Sequence, residues 1–181
     1  MKPWYEHLFW ELVSMITKRG LPAGAATVGV VPPTGYDREA EETLQRQRIC
    51  AWAALQVGKP YRLAVEVGYD EADPHEWDCS ELAENAYRRN GLVLPDGSNY
   101  QYDYCRPVNE PLAGDLGFVW SEVWNRIGHV VMYMGDGSCI EARGKPISRV
   151  QIVGRHTWEG HARWRGWRRH PDFMRPPEDR V

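Results

Sequence analysis

The chain has no apolar run long enough to cross a membrane, so no membrane-spanning helix is expected. It has no CxxC pair. Cys50, Cys79, Cys105 and Cys139 are scattered, which gives no support to a zinc site or a redox dithiol. A disulfide framework is not expected in a chain able to build its own core. The start, MKPWYEHLFWELV, reads as no export signal, because acids interrupt its apolar stretch and no small-residue cleavage site follows. There is no internal repeat.

Basic residues are missing from one stretch. Between Arg62 and Arg88 there is no Lys or Arg, but there are eight acids: Glu66, Asp70, Glu71, Asp73, Glu76, Asp78, Glu81 and Glu84. The simpler reading is a solvated loop, and the functional one is attraction for an amine on a substrate. Asp70, Asp73 and Asp78 lack the spacing of an EF-hand calcium loop. No metal and no cofactor is expected. The opposite bias lies between Arg155 and Val181, with seven Arg and four acids, within a chain of net charge −3. That total gives no case for nucleic-acid binding. The segment Arg163-Trp164-Arg165-Gly166-Trp167-Arg168-Arg169 reads as a final strand with tryptophans inward and arginines in water.

What is present is ordinary globular composition, 43% apolar and 26% charged over 181 residues, the size of one domain with a modest extra segment. Nine tryptophans suit a packed core or an aromatic groove, and packing is the simpler account. Apolar spacing predicts a helix over 4–18, stopped at Gly20-Leu21-Pro22, then a Gly-, Ala- and Pro-rich loop over 21–36. Asp37 can cap a second helix running through Leu44, Ile49, Ala53 and Val57 to about Gly58-Lys59-Pro60. Residues 1–45 are too few to bury a core alone, so they are expected to form a helical arm on a domain of residues 46–181. Asp78-Cys79-Ser80 opens a third helix, with Leu82, Ala83, Ala86 and Tyr87 as its apolar stripe, Glu84 and Arg88 paired at i,i+4, and Asn90-Gly91 as its stop. Strand-like runs follow at 116–120, 129–134, 138–143, 146–153 and 162–169. Helices followed by short strands predict an α+β domain with an antiparallel sheet.

A cysteine in the first turn of a helix sits where unpaired N–H groups and the helix dipole favour a thiolate. Cys79 also shares the face of Leu82 and Ala83, so a base would come from the sheet packed there. The surrounding acids make such a base necessary. His129 starts the apolar run His-Val-Val-Met-Tyr and is the best candidate. His7, His75, His156, His161 and His170 lie in less suitable surroundings. A lone buried cysteine and a surface histidine are the bland alternatives.

The order Gly58-Lys59-Pro60-Tyr61, Asp78-Cys79-Ser80-Glu81-Leu82, Ala113-Gly114-Asp115-Leu116 and Gly128-His129-Val130-Val131-Met132-Tyr133-Met134-Gly135-Asp136-Gly137 resembles the NlpC family of papain-like cysteine peptidases of bacterial walls and some phages. The resemblance runs from about Ala51 to about Pro171. It implies a papain-like fold, with Cys79 as nucleophile at a helix N-terminus, packed on an antiparallel sheet that carries His129 as general base. It implies a thioester acyl-enzyme and, as partner, the peptidoglycan stem peptide, cut between D-glutamate and the following diamino acid. The family's orienting residue maps onto Glu141, often a histidine elsewhere. Its tyrosine near the oxyanion site maps onto Tyr61. Tyr69 is a rival, because the stretch before Cys79 is longer than usual and has Arg62-Leu63-Ala64-Val65 where the family is glycine-rich. Glu81 stands where the family typically has glycine.

Two other functions stay open: an N-acetylmuramoyl-L-alanine amidase using Cys, His and Glu, and a non-catalytic phage-tail or virion module. A monomer is expected, with no nucleic-acid or membrane partner. Delivery would be by phage lysis, a virion tail or a secretion system. The β-hairpin after His129 gives a geometric expectation. Only a three-residue loop, 135–137, sets Glu141 opposite Val131 and on the face of His129. Its carboxylate is then expected to reach Nδ1 of that ring.

Overall fold

A computed structural model of the chain describes residues 35–68 and 70–174, with side chains from Arg38 onward. The compact unit begins at Gly35. The helix expected over 4–18 and the loop to residue 34 lie outside the described residues. Helix α1, Gly35–Ala54, starts two residues before Asp37 and stops three short of Val57. It is continuous across residues 45 and 46 and sends Ile49, Cys50 and Ala53 into the core. Helix α2 is Cys79–Arg88. A further helix, α3, Ser98–Tyr104, occupies a stretch expected to be turns. Its seven residues include no aliphatic stripe, so the helical period was not visible there.

The strands are β1 Arg106–Val108, β2 Leu116–Ser121, β3 Arg126–Tyr133, β4 Ser138–Arg143, β5 Arg149–Gly154 and, after the short helix α4 His156–Glu159, β6 Trp164–Arg169. They form one antiparallel sheet in the order β1-β6-β2-β3-β4-β5. This is the expected α+β arrangement, helices first and an antiparallel sheet after. Strand β3 begins three residues before His129. A bulge accounts for the difference: Val119 pairs with His129 and Trp120 with Ile127, leaving Gly128 extra. A Cβ at Gly128 would lie 2.4 Å from Ser121 Cβ, so the close approach of β2 there requires glycine.

Two apolar clusters cover the two faces of the sheet. Val130, Met132, Ile140 and Ala142 join Leu82, Ala83 and Ala86 of α2 on one face. Val131, Tyr133 and Cys139 join Trp158 and Trp167 on the other. Burial of this kind stabilises by roughly 25 cal/mol per Å² of apolar surface, and α2 is held where its first turn meets the sheet.

The C-terminal strand departs from the expected division of tryptophans and arginines. Trp167 is buried, but Arg168 and Arg169 are not in open water. Arg169 forks onto Asp115, with Nη2 2.7 Å from Oδ2 and Nε 3.0 Å from Oδ1. Arg168 lies 3.6 Å from the centre of the Tyr102 ring and donates to the Cys105 carbonyl at 2.9 Å. The period-2 pattern predicted the tryptophans; it could not show an acid just before β2 meeting a partner from β6.

Candidate active site

Asp78 caps α2. Its Oδ1 accepts from Glu81 N and from Ser80 Oγ, each at 2.9 Å, and its Oδ2 accepts from Ala64 N at 3.1 Å. One carboxylate thus starts the helix and ties the preceding loop to it. Arg62 N donates to Trp77 O and Trp77 N to Pro60 O, each at 3.0 Å. The chain around Tyr61 is therefore fastened beside the start of α2. Cys79, the first residue of that helix, is 8% exposed.

The hairpin has the expected register. Met132 pairs with Ile140 and Tyr133 with Cys139, and Met134 N donates to Ser138 O at 2.9 Å. The loop is therefore 135–137, with Gly137 at φ +89°, a left-handed conformation that suits glycine. Pairing between β3 and β4 is confined to this end. Beyond it the strands part, and Cys79, Val131 and Glu141 line one narrow crevice. His129 lies on the tryptophan side of the sheet, its ring 5.1 Å from that of Trp158, while Cys79 comes from the helix side. The parting of β3 and β4 lets them meet.

Glu141 reaches His129, as expected, but through the other nitrogen. The contact is Nε2 to Oε2 at 2.6 Å, not Nδ1. That leaves Nδ1 as the nitrogen available to Cys79. The carboxylate comes from the next strand, at the diagonal position, and so meets the far end of the ring. Glu141 is 1% exposed, and its other oxygen accepts from Gln151 Nε2 at 2.8 Å. Gln151 had no signal in the sequence. It stands opposite Glu141 in the β4–β5 register, which only strand pairing reveals.

Burial alone would lower the His129 pKa. The charge of Cys79, its hydrogen bond to the ring, and the hydrogen bond and charge of Glu141 outweigh burial and push it up to about 9. Burial would likewise raise Glu141, but its bonds to His129 and Gln151 hold it below the usual carboxylate range. For His129 the raised folded value means a contribution to stability present below about 6.5 and lost as pH rises through about 9. The imidazolium is the form able to protonate a leaving amine. Activity is therefore expected to fall on the alkaline side near that value. Glu141→Gln should move this limb of the kcat/KM profile to lower pH by removing one of its causes. An alkaline limb that stays in place would deny Glu141 this electrostatic role.

Burial, then the charges of Cys79 and Asp78, push the Tyr61 hydroxyl up to about 12. It keeps its proton at physiological pH, close enough to Cys79 to feel its charge. Tyr69 lies outside the described residues.

The acidic stretch is not one solvated loop. Asp78 and Glu81 are buried. Glu81 Oε1 accepts from Val67 N at 3.0 Å and from Asn85 Nδ2 at 3.1 Å. Burial, then the charge of Glu84, push its carboxyl up to about 7, with the Val67 N–H opposing and Asp78 and Glu66 adding to it. A raised carboxyl favours the protonated folded state. Stability is thus expected to fall as pH rises from about 4.5 to about 7, by on the order of 2 kcal/mol. Glu81→Gln should remove that slope in urea-denaturation midpoints measured across the window. A slope unchanged by the substitution would place its origin elsewhere. Among the described residues, Glu81, Glu84 and Asp96 are the acids gathered closely enough to share a cation. Asp70, Asp73 and Asp78 are not so gathered.

Residues 58–165 match the model of the NlpC/P60 family. A protein described as probable endopeptidase p60 of Listeria seeligeri is 28% identical over 106 residues, covering 59% of this chain and 19% of that protein. Peptidoglycan endopeptidase RipB of Mycobacterium tuberculosis is 30% identical over 146 residues, covering 74% of this chain and 57% of RipB. The solved structure of RipB superposes with a TM-score of 0.58 at 24% identity, covering 90% of this chain and 78% of that one. An NlpC/P60 family protein from Bacillus cereus gives 0.58 at 25% identity, covering 69% and 40%. The chain thus spans about a fifth of the p60 relative and just over half of RipB.

Proposed function

The chain belongs to the NlpC/P60 family, and on that premise we propose that it is a cysteine peptidase. It hydrolyses an amide bond of the peptidoglycan stem peptide, between D-glutamate and the following diamino acid. The observation that carries this reading is the 2.6 Å contact between His129 Nε2 and the buried Glu141, beside a cysteine that opens a helix.

The steps follow from the charges. The Cys79 thiolate adds to the carbonyl carbon, and Tyr61 donates its hydroxyl proton as a hydrogen bond to the oxygen that becomes negative. The C–N bond breaks as the His129 imidazolium gives its proton to the departing nitrogen. A thioester and a free amine remain, with His129 neutral. It then takes a proton from water, whose oxygen attacks the thioester. The C–S bond breaks, the acid departs, and thiolate and imidazolium are restored. Glu141 stays ionised throughout and holds the ring by Nε2, with Gln151 holding Glu141.

Mass spectrometry of fragments released from purified peptidoglycan tests the reading. Fragments with a new amino terminus at the diamino acid are expected. Peptides beginning with L-alanine and lacking the sugar would assign the amidase reaction instead. No fragments at all would favour a non-catalytic module.

A further inference from the structure

A second cavity, of about 420 Å³, opens between α3 and the adjoining ends of β2 and β3. Its walls are Asn99, Tyr102 and Asp103 on α3, Trp120 on β2, and Arg126 and Ile127 on β3, with Arg165 at the rim. Arg126 is exposed, and among the described residues its guanidinium makes no hydrogen bond or ion pair. The Arg165 guanidinium lies 5.5 Å from the centre of the Trp120 ring. That of Arg168 stacks behind Tyr102. Asp103 is the one acid in the lining, so the cavity is net positive in a chain that is net negative.

Both walls are joined to the catalytic pair. Ile127 precedes His129 by two residues on the same strand, across the bulge at Gly128. Helix α3 is tied to α2 by Gln101 Nε2, which donates at 3.0 Å to the carbonyl of Ser80, the residue after Cys79.

We propose that this cavity is a subsite for a carboxylate of the peptide substrate. Arg126 and Arg165 pair with the carboxylate, Asn99 hydrogen-bonds the adjoining amide, and Trp120 and Tyr102 pack against its apolar part. The proposal rests on the peptidase reading given above and adds to it a preference for substrates that carry free carboxylates. Two carboxylates flank the proposed scissile bond, one on the acyl side and one on the amine side, and the chemistry of recognition is the same for both.

Three soluble stem peptides separate the sources: one with both carboxylates free, one with the acyl-side residue as carboxamide, and one with the amine-side residue as carboxamide. For the wild type, one of the two carboxamides should raise KM by about ten-fold, the loss expected for a hydrogen-bonded charge, with kcat nearly unchanged. The carboxamide that does so identifies which carboxylate is held. Arg126→Gln and Arg165→Gln should each raise KM for the parent peptide and lessen the discrimination, whereas Asp103→Asn should lower KM. Equal KM for all three peptides overturns the subsite, as does discrimination that survives both arginine substitutions. If the wild type cleaves none of the peptides, the peptidase reading fails and the subsite is still testable. Calorimetry of the Cys79→Ala variant with the same peptides then decides, a carboxylate preference that depends on Arg126 supporting the subsite and equal binding overturning it.

Discussion

Cys79→Ala is expected to abolish wall hydrolysis, with a loss of at least about 10⁴-fold, and to leave the fold intact. The side chain is small and 8% exposed, so alanine removes one sulfur atom from a crevice that α2 and the sheet keep closed. Cys79→Ser should be nearly as inactive. An alcohol has a far higher pKa than a thiol, and a histidine suited to a thiolate cannot activate it comparably. His129→Ala should lose at least the ~10²-fold typical of a general base. Fragment release by each purified variant, alongside its thermal midpoint, is the measurement. Substantial turnover by folded Cys79→Ala would mean that another group attacks the carbonyl.

The second large effect concerns stability. Asp115→Ala is expected to destabilise by about 3–5 kcal/mol, the usual result of removing one partner from a buried ion pair. Asp115 is fully buried. Its Oδ1 accepts from Arg46 Nη1 of α1 at 3.0 Å, and Arg169 of β6 forks onto both oxygens. Leu112 N also donates to Oδ2 at 2.8 Å. One carboxylate, on the residue before β2, therefore joins α1 and β6, and its loss takes a charged partner from Arg46, which is 4% exposed and would keep Glu42 and the Ala113 carbonyl. Arg169→Gln should cost less, because Arg46 keeps its partner. Urea denaturation of the three proteins gives the ranking. A cost for Asp115→Ala within that of an ordinary surface change, about 0.5 kcal/mol, would mean that the network contributes little.

The tetrad Ala113-Gly114-Asp115-Leu116 helped to make the family resemblance, yet its aspartate lies in the core. Motif residues in this chain divide between chemistry and architecture, and spacing alone does not say which is which. Asp78 caps the helix that Cys79 opens and anchors Ala64 to it.

Much could be read from the sequence because it depends on local rules. The Asp78 cap, the stripe Leu82, Ala83, Ala86 and Tyr87, and the stop after Arg88 are matters of helical period and end chemistry. The hairpin register followed from loop length and side-chain alternation, which together set Glu141 on the face of His129. Contacts between segments distant in the chain were not legible in this way. Gln151 meets Glu141 only because β5 lies beside β4. Arg169 leaves water only because Asp115 lies at the entry to the neighbouring strand. The nitrogen that Glu141 takes, Nε2 rather than Nδ1, depends on how the ring sits between Trp158 and Cys79. Local order fixes φ, ψ and the alternation of side chains, whereas burial and electrostatic pairing are properties of surfaces that exist only after the chain has folded. The sequence by itself therefore determined that Cys79 opens a helix and that His129 and Glu141 share a sheet face, and the tertiary structure decided what holds them and which charges lie around them.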